Sequence, residues 1–180
     1  MSEALYAEYL RELQIEFPGL RVVSKKDDRV SFLIDRFLKF LTWGRQSSYL
    51  THYTTVISRT IYVPFDWERR DVRDRYVTLR HEAVHLRQSR RYGFLLMSLL
   101  YGLPFFPLGL AYGRARIEWE AYAETFRAIS EVYGPAQAHE PALRAHVVRQ
   151  FTSAAYGWMW PFPKQVNAWI DEVLSTLPSE

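Results

Sequence analysis

Between residues 71 and 90 the chain has no glycine or proline, and Val72, Tyr76, Leu79, Ala83 and Leu86 recur at three- and four-residue steps. This spacing predicts an amphipathic helix with one apolar stripe. Val77, His81, Val84, His85 and Gln88 form a neighbouring stripe, which puts two imidazoles at the border of the buried face. Similar patterning predicts a first helix over 3–16 on Leu5, Tyr9 and Leu13, stopped by Pro18-Gly19. A short strand is expected at 20–24, then a charged turn at 25–28, then a helix on Ile34, Phe37, Leu38 and Leu41 capped by Ser31. Stretches 49–57 and 60–63 are rich in Tyr, Thr, Val and Ile, the composition of a β-hairpin. Further helices are expected at 114–124, on Leu143, Val147, Phe151 and Ala154, and on Phe162, Val166, Trp169, Ile170, Val173 and Leu177. The sum is a single α+β domain over 1–180, mainly helical, with a small antiparallel β-sheet.

The central helix carries His81-Glu82-Ala83-Val84-His85. Residues four apart lie one above the other on a helix, so both imidazoles can turn a ring nitrogen to one metal ion, with Glu82 beside them. Zinc would lower the pKa of a bound water from about 15.7 to roughly 7, and Glu82 would take its proton as general base. The plain alternative is a pair of ordinary half-buried histidines. Catalytic zinc usually takes three protein ligands. The chain has no cysteine, so a thiolate is excluded, and His52, His139 and His146 do not follow His85 at short spacing. The helix at 114–124 offers Glu118, which shares a face with Ala121, Tyr122 and Thr125, and Glu120, which faces another way.

An HExxH helix followed on a later helix by Glu118-Trp119-Glu120-Ala121 resembles the gluzincin metallopeptidases, distantly the HtpX-like membrane proteases. The resemblance covers roughly residues 55–130. It implies a zincin-like domain, with His81, His85 and Glu118 as zinc ligands, Glu82 as general base, and a peptide or protein substrate. The chain departs from the family pattern at Tyr122, where the family has an aspartate that orients a histidine ligand. A tyrosine there accepts the same hydrogen bond, assists an oxyanion, or only packs. Tyr156 and His146 are further oxyanion candidates. Gluzincins hold an extended peptide on a strand edge, for which Thr60-Ile61-Tyr62-Val63 is the candidate; ordinary sheet packing is the alternative.

Residues 92–113 carry no charge over 22 positions. The length permits a membrane span, but one crossing would put Glu118 on the opposite side from His81 and His85. Pro104 and Pro107 break the stretch into arms of about ten residues, roughly 15 Å of helix each. Two short buried helices, a re-entrant hairpin and a surface-inserting hairpin all fit. Four glycines and two prolines favour the buried form, while Arg87, Arg90, Arg91, Arg114 and Arg116 on the flanks are what a hairpin entering from a cytoplasmic face shows. In the HtpX-like proteases the corresponding interval includes a transmembrane hairpin, so the resemblance points the same way.

Composition alters this picture little. A hydrophobic content of 48% over 180 residues supports a core of the chain's own, and 16% aromatics suit a rigid core or a contact surface. Disulfides are excluded. The N-terminus, with Glu3, Glu8, Arg11 and Glu12, does not read as a signal peptide, so a cytoplasmic chain is expected, with membrane association through 92–113 as an open alternative. The net charge of +3 is concentrated around the central helix, where arginines alternate with Asp66, Glu68, Asp71 and Asp74, a pattern of solvated ion pairs rather than a nucleic-acid footprint. Repeats, a P-loop and a Rossmann fingerprint are missing. The expected function is therefore a zinc-dependent metallopeptidase. The rival readings are a non-catalytic metal-binding interaction protein and a membrane-surface protein.

Overall fold

A computed structural model describes residues 3–25, 54–102, 110–153 and 159–178. The elements run α1 (Glu3–Glu16), β1 (Arg21–Ser24), β2 (Thr55–Ile57), β3 (Thr60–Val63), a 3-10 turn (Trp67–Arg69), α2 (Val72–Gly102), α3 (Leu110–Tyr133), α4 (Pro135–Ala138), α5 (Pro141–Thr152) and α6 (Pro163–Ser175). The described chain is mostly helical with a small sheet, an α+β architecture. The helix expected on Ile34 to Leu41, residues 49–53 of the hairpin, Lys26 to Asp28, Pro104, Pro107 and Tyr156 lie outside the described residues. The chain falls into two compact units, 1–82 and 83–180, and the boundary lies inside α2.

In the first unit the sheet departs from expectation. It is mixed, in the order β1-β3-β2. β2 and β3 form the hairpin, pairing Ile57 with Thr60 across a two-residue turn. Ser58 there has φ 56°, the sign required at the first position of a primed hairpin turn. β1, however, pairs parallel to β3, from Arg21 opposite Thr60 to Ser24 opposite Val63. A parallel pair needs a crossover of about a dozen residues or more, and the long interval between β1 and β3 provides it. The pairing has a functional corollary. β3 is hydrogen-bonded on both sides, so Thr60–Val63 is not an edge and has no free ladder to hold a peptide. Lys25 is buried rather than exposed in a turn, its Nζ donating to Thr55 Oγ1 at 3.3 Å.

α2 starts on a side-chain cap: Asp71 Oδ1 accepts from the Arg73 amide at 2.8 Å, satisfying one of the helix's orphan donors. α1 meets this helix through Tyr9 and Tyr76, whose rings cross edge-on at 5.5 Å. The arginines here are largely engaged within the unit. Arg70 pairs with Asp66, Arg73 with Asp71, and the buried Arg75 with Glu3 and Glu68. Arg80 donates to the Tyr76 hydroxyl at 2.7 Å and lies over the Tyr9 ring.

The second unit contains the rest of α2, and α3 to α6. Its core is aromatic: Phe151 is fully buried and meets the rings of Trp119, Tyr122 and Trp169 at 5.6–6.4 Å. Val147, Met159, Val166 and Ile170 fill the space around them. Met159 and Trp160 close this core, and the Trp160 amide donates to the Phe151 carbonyl at 2.9 Å.

α2 is longer than the periodicity predicts and runs into the uncharged stretch, but not as one regular rod. At Gly93 the backbone takes φ 76°, ψ 161°, outside the helical region, and a second helical arm continues over 94–102. This arm packs on α3 through Leu100; a Cβ on Gly113 would stand 2.6 Å from Leu100 Cδ2. The expectation that the stretch is core fails for Leu95, Leu96 and Leu99, which are exposed. Among the described residues no helix is long and apolar enough to cross a membrane.

Candidate metal centre

The helical register of α2 brings His81 and His85 to one side, one turn apart, and α3 contributes Glu118. One ligand atom from each of the three lies within 4.8 Å of the others. His81 is half-buried, while His85 and Glu118 are buried. Small residues on α3 are buried, with Ala115, Ala121 and Ala128 fully inaccessible.

His85 is held by a relay. Its Nδ1 lies 2.9 Å from Gln88 Oε1. The Gln88 amide nitrogen donates to the Ile117 carbonyl at 3.0 Å and to Glu120 Oε2 at 2.8 Å. Both of those partners only accept, so they fix which end of the amide is nitrogen and which is oxygen. The oxygen therefore faces Nδ1, Nδ1 carries the ring proton, and the lone pair of the neutral imidazole sits on Nε2. That nitrogen lies 3.8 Å from Glu118 Oε2. Two acceptors at this distance do not hydrogen-bond. They do match a shared cation: two ligands at about 2.0–2.1 Å in a tetrahedron stand about 3.4 Å apart. The donor set of two imidazoles and a carboxylate fits zinc, which binds nitrogen and oxygen ligands in open three-ligand sites.

Glu82 is buried, one residue after His81 and three before His85, so it shares a helical face with the second imidazole. The other nominated residues are placed differently. Glu120 is outside the three-residue group and serves as acceptor for Gln88. Tyr122 packs against Phe151 in the aromatic core, which favours its packing role. His139 is exposed after α4. His146 is exposed on α5 beside Gln150. Partial desolvation and the nearby Arg149 hold its imidazole below the usual histidine range. His52 and Tyr156 lie outside the described residues.

Sequence reasoning gave no role to Gln88. The signal was present, since Gln88 falls three residues after His85 on the same stripe, but a glutamine has no motif value until its partners are known. Its amide oxygen is placed to orient the His85 ring, as an outer-shell partner of a histidine ligand does. Comparisons with protein-family models, curated proteins and solved structures find no match to this chain.

Proposed function

We propose that this chain is a zinc-dependent metallopeptidase of the gluzincin type, with a zincin-like site in which His81, His85 and Glu118 hold the metal. The observation that supports this most is the imidazole pair and Glu118 grouped within 4.8 Å, with His85 locked in the tautomer that presents Nε2. Zinc bound there supplies a Lewis acid that polarises a carbonyl and lowers the pKa of water to about 7. Glu82, buried beside His85, takes the proton from the attacking water and passes it to the leaving amine. Gln88 orients His85, and Glu120 with the Ile117 carbonyl orients Gln88. The substrate is a peptide or protein. Because β3 is occupied on both sides, any main-chain pairing with substrate uses another edge.

Glu82→Gln keeps the size and the neutral hydrogen-bonding capacity of the side chain but removes the base. Zinc content by elemental analysis stays stoichiometric, and hydrolysis of a quenched fluorescent peptide library falls by at least about a hundredfold. Full activity in this variant would refute the mechanism. Stoichiometric zinc in a wild-type chain that hydrolyses nothing would favour the non-catalytic metal site instead.

A further inference from the structure

We propose that the helical arm 94–102 and the aromatic group beside it form a docking surface for an anionic lipid bilayer, a role independent of the metal site. Leu95, Leu96 and Leu99 are 83%, 43% and 53% exposed. They stand one, three and four residues apart, so they share one face of the arm. Three exposed leucines on a single helical face are costly in water and need a cover.

A second apolar group adjoins them. Leu100 packs against Gly113, and the preceding residue Tyr112 opens a ring cluster with Trp160 at 5.0 Å, which in turn meets Phe162 at 4.9 Å. Tyr112 and Phe162 are 42% and 44% exposed. Tyrosine and tryptophan, with apolar bodies and polar tips, are the residues that settle at a bilayer's headgroup level.

Charge identifies the occupant. From Ala83 to Ile117 the sequence has five arginines, at 87, 90, 91, 114 and 116, and no Asp or Glu. That stretch carries +5 in a chain of net +3, so everything else sums to −2. Arg90 and Arg91 are exposed just before the leucine arm, and the Arg91 guanidinium lies over the Tyr92 ring at 5.3 Å. Basic residues bordering an apolar face match anionic headgroups above acyl chains. A symmetric pairing of two copies through this face would bring like charges together. Crossing is also excluded for this arm: nine residues give about 14 Å of helix, half of a hydrocarbon core of about 30 Å. The arm lies in the interface.

The test is co-sedimentation of the full-length chain with vesicles of phosphatidylcholine plus phosphatidylserine, and with phosphatidylcholine alone. The chain is expected to bind the mixed vesicles, more weakly as salt rises, and to bind the neutral vesicles at least about tenfold less. Leu95→Glu with Leu99→Glu should lower binding to the mixed vesicles by at least about tenfold. Both positions are exposed, so circular dichroism should be unchanged. Arg90→Glu with Arg91→Glu should abolish the preference for the mixed vesicles. Three results would overturn the proposal: no binding by the folded wild-type chain, equal binding by the double-leucine variant, or a dimer that this variant dissociates in a chain that ignores vesicles.

Discussion

Gln88→Met isolates what the relay contributes to the metal centre. Methionine keeps the length and helix propensity of glutamine but removes the hydrogen bonds to His85, Ile117 and Glu120, at 2.9, 3.0 and 2.8 Å. Without the acceptor at Nδ1 the imidazole can carry its proton on either nitrogen and can rotate. Loss of such an orienting partner lowers metal affinity by about 10–100-fold, or about 1.4–2.8 kcal/mol at 1.4 kcal/mol per tenfold. The Ile117 carbonyl, in mid-helix, loses its side-chain donor but keeps its helical one, which costs about 0.5–1.5 kcal/mol of stability. Glu120 is only half-buried and recovers water, so it adds little. Zinc affinity measured by competition with a chromophoric chelator should fall within that window, while urea unfolding of the metal-free chain reads the stability cost separately. Gln88→Glu should also weaken the site, by setting two carboxylates together. Adding Glu120→Gln should restore it only in part, because the new amide at position 120 can donate to the carboxylate at position 88 but the Ile117 carbonyl stays without its side-chain donor. An unchanged zinc affinity in Gln88→Met would refute the tautomer argument.

Glu118→Ala should abolish stoichiometric zinc binding, whereas Glu120→Ala should retain the metal with about tenfold weaker affinity; elemental analysis after dialysis separates the two. Phe151→Ala removes the ring on which Trp119, Tyr122 and Trp169 converge, and should cost about 3–5 kcal/mol in urea unfolding. Asp71 is held below its ordinary value of 3.8 by hydrogen bonds from the Arg73 side chain and then its amide. Its ionised form is thus favoured in the folded state, so its stabilising share is complete above 3.8 and is lost as pH falls through the lowered value. Thermal melts of wild type and Asp71→Asn should therefore converge on acidification; a gap that widens would reverse the sign.

The site was legible because its chemistry is written locally. Two histidines four apart need only a helix to meet, and the uninterrupted periodicity over 71–90 assured one. Glu118 could be nominated over Glu120 only through the resemblance of Glu118-Trp119-Glu120-Ala121 to the gluzincin pattern. The relay was not legible, since it joins residue 88 to residues 117 and 120 through contacts that only packing creates. The sheet shows the same division. The β2–β3 hairpin is local and its turn is short, but the parallel β1–β3 pairing depends on a distant crossover that leaves no trace in alternation. That one pairing removed the strand edge the sequence offered for substrate. The leucine arm failed for a different reason: an uncharged run looks the same whether its cover is protein or lipid, and only exposure distinguishes them.

The turn at Gly93 divides one helix into two arms. With φ 76° and ψ 161°, the residue occupies backbone territory essentially reserved for glycine, so the two arms are not one regular helix. His85 stands eight residues before this break and His81 twelve, so both imidazoles ride on the regular arm upstream of it. A side chain at Gly93 is strained whatever the space around it, so a substitution there would redirect the leucine arm before it altered the spacing of His81 and His85.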